Sequence, residues 1–372
     1  MKIFHSHILT AFLTLILASS GHCFEPQKKS GQNPHQNLCH GQFSRPRHDS
    51  ASHPCNDPPP QPITDVYAGG YEFGGANRVA TLWKNGAALS LSDGTSDAVI
   101  YSVATNGNDV YALGEVYDTN NYIVTVWKNG VATKLTAPGE GASAYSIFVS
   151  GNDVYIAGQK IDNIHHQFVA TLWKNGIPTA LTDGSEYSQA NSVFVSGTDV
   201  YVAGIGFKGS NGTSKVWKNG VITNLTDGTK NSQVFSVSVY NKDVYVAGFE
   251  SNGFNNIAKI WRNGFASDLT DGSKFSGANS VFVSNGGVYV AGYEGNTAMV
   301  WKNNAGSFMQ YTTMGSGAES ISVSGGNVYA GGHEFNNIND IAVIWKNGIE
   351  AALTDGTHDA KVLSISAITH QE

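Results

Sequence analysis

The sequence predicts an all-β fold, a seven-bladed β-propeller of four-stranded antiparallel blades, and two regularities carry the prediction. All seven tryptophans fall in one register, at Trp83, Trp127, Trp173, Trp217, Trp261, Trp301 and Trp345, and a serine follows each at a constant offset of 19 residues, from Ser102 to Ser364. Nine residues after each of the first six serines comes the tyrosine of a Val-Tyr pair, Tyr111 to Tyr329, and Tyr67 supplies the seventh. Only the tyrosine-to-tryptophan interval changes, from 12 to 18 residues, so length variation is confined to one loop per repeat. A period of about 44 residues holding four short strands is the pattern of a propeller blade.

One unit, from Asn191 to Gly228, shows the four strands in order. "SVFVS", "DVYVAG", "TSKVW" and "VITNLT" are rich in β-branched and aromatic residues and are separated by Gly, Asn and Asp turns. We letter them A to D. Between C and D stands an Asn-Gly pair in six repeats, as in Asn175-Gly176, with Asn303-Asn304 as the exception. Such a pair favours a type I′ hairpin, which needs positive φ at both central residues. The tryptophan just before it is expected to pack between blades, since inter-blade burial requires a large side chain at one site in every blade. A lectin with tryptophans stacked on sugars is the competing reading. The recurring serine reads as a buried hydroxyl bonded to backbone, because no histidine recurs in step with it as a catalytic triad would require.

The repeat resembles that of seven-bladed propellers and is most similar to the kelch type, through "VYAGG" at 66–70 and 328–332. Other blades carry "VYVAG" in its place, and no Trp-Asp dipeptide of the WD40 kind occurs. The resemblance implies a fold and no particular partner, because propellers host unrelated functions.

Ring closure is legible as well. The domain opens at "ITDVYAGG", already a strand B, whereas "SISAITH" from Ser364 aligns with strand A. The last strand is therefore expected to pair with residues 65 to 70 and complete the first blade, leaving no open sheet edge.

Ahead of the propeller, assigned to residues 63–372, lie two other zones. Residues 1–23 read as a secretory signal peptide, with one early lysine, an apolar run from Ile8 to Leu17 too short to span a bilayer, and small residues after it. Residues 24–62 hold eight of the ten prolines and few aliphatic residues, and read as a disordered Pro/His-rich linker. Its histidines and cysteines match no compact zinc spacing, and Cys39 and Cys55 are expected to form a disulfide in an oxidising compartment. The expectation is a secreted or periplasmic bacterial monomer with no membrane span once the signal is removed.

Strand alternation sorts the connections onto two faces. A–B and C–D turns share one, where a lysine or arginine beside each Asn-Gly turn faces aspartates such as Asp65 and Asp109, and the charges offset. B–C loops and D–A connections share the other, which carries 18 acidic residues against 6 basic ones. Phosphate would be repelled there, which argues against nucleic acid. The acids recur, as Asp-Gly pairs at Asp93, Asp183, Asp227, Asp271 and Asp355, which read as turn chemistry. They recur again just after strand B, where Tyr71, Glu72, Phe249, Glu250, Tyr293, Glu294, His333 and Glu334 form a candidate ligand-binding set of carboxylates and aromatic walls. No cofactor is expected, calcium being the candidate at this face and zinc or copper at the histidines and cysteines of residues 24–62. Acids in step with a repeat are poor catalysts, so the reading is a non-catalytic binding or scaffold propeller whose protein or glycan ligand engages the acidic variable-loop face. The alternative is a secreted carbohydrate-active protein, lectin or glycoside hydrolase.

Overall fold

The computed structural model describes residues 62–119, 121–308 and 315–370. The signal peptide, the Pro/His-rich segment and the Cys39 and Cys55 pair lie outside the described residues. Among the described residues, no helix is long and apolar enough to cross a membrane.

Seven antiparallel sheets of four strands form the blades. Blade 1 is made of Ile63–Phe73, Arg78–Lys84 and Ala87–Ser90, with Ala360–His370 as its strand A. That last strand runs in register along the first, from Ile63 opposite His370 to Glu72 opposite Ala360, so the ring closes as expected. The A strands of the other blades are Ala98–Asn106, Ala142–Ser150, Ser188–Ser196, Ser232–Tyr240, Ser276–Ser284 and Gly317–Ser324. Each packs against the A strand of the next blade, so the seven surround the axis. The D strands are four residues long and stand exposed at the rim.

The tryptophans are the inter-blade wedges. Trp127 packs on Ala80 and Leu82 of the preceding blade, and Trp83 on Ala342 and Ile344 across the closure. None exceeds 2% exposure. Each C–D turn has positive φ at both central residues, 50° at Asn85 and 87° at Gly86, and 50° and 67° at the exceptional Asn303-Asn304. The turn is clasped to strand B: the Asn85 side chain accepts from the Val66 amide at 2.8 Å and donates to Asp65 at 2.8 Å. Lys84 reaches the same carboxylate at 3.0 Å and lies over the Tyr67 ring. Blades 2 to 5 repeat this clasp, so the opposed charges on that face are paired.

The recurring serine has a second-blade partner. Ser102, Ser146, Ser192, Ser236, Ser280, Ser320 and Ser364 each accept a hydrogen bond through Oγ from a backbone amide of the next A strand, that of Ile147, Val193, Val237, Val281, Ile321, Ile365 and Val103. Just before each serine the A–B register slips by one residue, a β-bulge. The bulge brings strand A so close to strand B that the glycine three residues after each tyrosine has no room for a side chain. A Cβ on Gly114 would stand 1.8 Å from the Val99 carbonyl oxygen. The glycine before it is needed only in blades 1 and 7, where a Cβ on Gly69 or Gly331 would meet Val103 or Val362 of the next blade. The arrangement is thus that of a seven-bladed propeller, and the paired glycines that resemble kelch repeats answer a local crowding in two blades.

Candidate functional site

Everything that recurs is taken up in holding the ring together, which directs attention to positions where the repeat varies. The bulge residue is one: Tyr101, Tyr145, Asn191, Phe235, Asn279, Glu319 and Leu363. These residues sit on the innermost strands and meet around the axis. The rings of Tyr101 and Tyr145 lie 6.2 Å apart, and Asn279 donates to Glu319 Oε2 at 2.9 Å. The position four residues after each tyrosine is the other: Tyr71, Glu115, Gln159, Ile205, Phe249, Tyr293 and His333. It pairs with the part of strand A just ahead of the bulge, as in Tyr71 opposite Lys361 and His333 opposite Gly317. Together the two sets form the wall of the channel toward the variable-loop face.

The predicted set divides here. Its four aromatics and four glutamates come from blades 5, 6, 7 and 1, one continuous arc of the ring. Within each pair, however, strand alternation turns the aromatic and the glutamate to opposite faces of the sheet. The aromatics turn to the channel wall, where their contacts are with residues of their own blade or of the segment leading into it. Phe249 is buried against Phe235 at 5.9 Å, Tyr293 stacks on Phe275 at 6.2 Å, and Tyr71 carries the Arg78 guanidinium over its ring at 5.5 Å. The glutamates face the other way. Glu250 pairs with Lys259 at 3.3 Å and borders an open groove of about 650 Å³ against the Asn224–Lys230 segment of blade 4. Glu334 is buried, and Glu72 and Glu294 make no ion pair among the described residues. A second groove, of about 220 Å³, lies between blades 1 and 2 and is lined by Asp93, Tyr117 and Lys134. Neither groove is lined by Glu115, Glu319 or His333, the buried ionisable groups of the channel wall.

The recurring Asp-Gly acids are turn formers. Asp93 accepts from the Thr95 hydroxyl and amide at 2.7 and 3.0 Å, Asp183, Asp227 and Asp355 do likewise with the serine or threonine two residues on, and Asp271 accepts from the Ser273 amide at 2.8 Å. Those bonds hold the carboxyls below their ordinary range. Among the described residues no group of three or more His, Cys, Asp or Glu side chains is placed to hold a metal ion.

Two ionisable clusters stand on the wall, and of their members the sequence singled out His333 alone. In blade 2, Glu115 is 7% exposed and Oε1 has no hydrogen-bond partner, while Oε2 accepts from the Tyr101 hydroxyl at 3.5 Å. Burial pushes its carboxyl up to about 7, although Ser143 and the Ala144 amide of blade 3 approach closely enough to oppose the shift. In blade 7, Glu319 faces His333 across 3.6 Å. Burial raises the Glu319 carboxyl, and burial together with Lys361 pushes the imidazole down to about 3, so His333 is neutral. The signal for this second cluster was present in the repeat register. Three residues before the recurring serine, blades 6 and 7 alone carry glycine, Gly277 and Gly317. A Cβ on either would stand 2.9 Å from the Tyr293 or His333 ring, so these rings lie over strand A.

No protein family and no curated protein matches the chain. Solved structures do. An acylaminoacyl peptidase of Pyrococcus horikoshii aligns with 80% of this chain and 52% of its own, at 12% identity and a TM-score of 0.49. TolB of Acinetobacter baumannii aligns with 74% of this chain and 82% of its own, at 7% identity and a TM-score of 0.44. The chain therefore spans about half the length of the peptidase it matches.

Proposed function

We propose that this is an exported, non-catalytic binding propeller that engages a protein ligand on its acidic variable-loop face. The observation that carries the reading is the way three B–C loops present one large apolar side chain each at their tips. Ile164, Phe254 and Ile338 are 79%, 95% and 80% exposed. They are held there by the loops themselves. Asp162 accepts from the amides of Ile164 and His165, Asn252 from Phe254 and Asn255, and Asn336 from Ile338 and Asn339. Asn252, Asn255, Asn336 and Asn339 also donate to the carbonyl of Gly272 or Gly356 in the neighbouring connection. A pre-organised tip loses little entropy on docking, and burying a phenylalanine supplies the apolar core that a protein interface needs. The excess of acids around the tips would favour a basic partner surface and speed its approach.

A non-catalytic role is supported by the engagement of the repeat's hydroxyls and acids. The recurring serines accept backbone amides, and the recurring aspartates cap turns. The test is cross-linking capture by the whole exported chain, run beside a glycan array. Capture of one specific protein that is lost in a Phe254→Ser, Ile338→Ser variant supports the reading. Specific glycan binding that survives the same changes would replace it with the carbohydrate-binding alternative.

A further inference from the structure

We propose that the channel wall between blades 6, 7 and 1 binds a single primary ammonium group, taken between the Glu319 carboxylate and the His333 imidazole, with the Tyr293 and Tyr71 rings beside it. The inference rests on the variable-loop face being the binding face, and names the chemistry at its centre.

Glu319 is the bulge residue of its strand, and 28% of its side chain stays open to the channel. Oε2 is satisfied by Asn279, whereas among the described residues no donor serves Oε1. Beside it, His333 Nδ1 is buried with no hydrogen-bond partner among the described residues, and the 3.6 Å between the two atoms is too long for a direct bond. A neutral imidazole that keeps its proton on Nε2 offers Nδ1 only as an acceptor. In that tautomer, which the proposal takes, two acceptors face one another with no donor among the described residues, and one group with several N–H bonds would serve both.

Charge at the site favours a cation. Lys361, opposite Tyr71 in the first sheet, is already bound to Asp340 at 2.9 Å. Arg78, on the far side of Tyr71, is committed to Asp97. Among the described residues, Glu319 Oε1 shares neither the Lys361 cation nor the Asn279 donor. Tyr293 adds an aromatic ring lying over Gly277, on the strand whose Asn279 bonds Glu319, and a cation held between ring and carboxylate gains from both. A guanidinium fits less well. Its fork needs both oxygens of one carboxylate, and Asn279 occupies the second. An ammonium is a point charge with three donors and needs only one.

The source of the ammonium is either a free alkylamine or a lysine side chain of a partner. Calorimetric and NMR titration of the whole protein with n-propylammonium and with Nα-acetyl-lysine methylamide separates them, the tighter binder identifying the source. Saturable binding is expected, with movement of the His333 ring nitrogen resonances. Glu319→Gln, nearly isosteric, should weaken it by on the order of tenfold or more while leaving the melting temperature unchanged or higher. Lys361→Gln, which removes a repelling charge, should tighten it, and Glu294→Gln on the opposite sheet face should leave it alone. Equal saturation by 1-propanol or glucose, an unchanged affinity in Glu319→Gln, or no saturation by either amine overturns the inference. If amine binding fails while partner capture by the loop tips persists, this inference alone falls. If capture fails while amine binding persists, the loop-face reading alone falls.

Discussion

The hydroxyl of Ser364 accepts a hydrogen bond from the amide of Val103 at 2.9 Å, across 261 residues of sequence. The same bond links every other pair of neighbouring blades, so a circle of side-chain-to-backbone bonds surrounds the axis and is completed by this one. In Ser364→Ala the buried Val103 amide loses its acceptor, at a cost of about 1 to 3 kcal/mol. Ser192→Ala, which frees the Val237 amide at an ordinary blade junction, should cost a similar amount. Urea midpoints of the two variants check this, and a silent Ser364→Ala would show that the closing junction is open in solution.

Truncation after Lys361 removes eleven residues and with them the register from Gly70 to Ile63. It also removes Ile365 and Val362, both buried between blades 7 and 1. A frayed terminus could be lost without consequence. Here two sheet edges become unpaired. A large loss of cooperative unfolding and concentration-dependent aggregation are expected in light scattering and urea melts. A monomer with an unchanged midpoint would contradict the closure.

Turn and mouth should separate on mutation. Gly176 has φ of 82°, which a β-branched residue reaches only under strain, so Gly176→Val is expected to destabilise by at least about 1 kcal/mol. Glu250→Gln with Glu294→Gln should leave the melting temperature nearly unchanged, since Glu250 makes one partly exposed ion pair and Glu294 none among the described residues. The reverse order in thermal melts would reverse the roles assigned to these positions.

Glu115 gives a pH dependence with a definite sign. The folded carboxyl holds its proton to about pH 7, whereas the unfolded chain releases it near 4.5. Between those values the folded state binds more protons, and stability falls as pH rises through the window. Glu115→Gln removes the penalty of ionising a buried carboxyl. Its unfolding free energy from urea melts should match the parent at pH 5 and exceed it at pH 8, by on the order of 1 to 3 kcal/mol. Equal midpoints at pH 8 would place Glu115 in contact with water.

The fold was readable because its determinants recur. Trp127, Ser102 and Asn85-Gly86 each have six counterparts or near counterparts, and recurrence identifies structural need even where the partner cannot be seen. That the serine hydroxyls bond backbone followed from this; that each bonds the next blade, and that the bonds close on Val103, did not, because a hydrogen bond between neighbouring blades leaves no mark on spacing. The candidate site was legible only in part. Tyr71, Phe249, Tyr293 and His333 do reach the channel wall, but Glu72, Glu250, Glu294 and Glu334 turn away from it, since adjacent residues of a strand cannot share a face. Glu319 and Glu115 were passed over among the other acids. What distinguishes them is a bulge and a crowded inter-blade seam, and both depend on registers between strands distant in sequence.

Closure also governs when this molecule can become itself. Thr64 and Thr369 share a hydrogen bond 305 residues apart, and the first sheet waits for its inner strand until that interval has been synthesised. At about 5 to 20 residues per second this takes roughly 15 to 60 s. Throughout that time Ile63–Phe73 presents a bare edge to every other nascent chain. Holding that edge apart from its neighbours is therefore a task for the cell rather than for the sequence, and the yield of native protein should respond to the rate of translation and to the supply of chaperones.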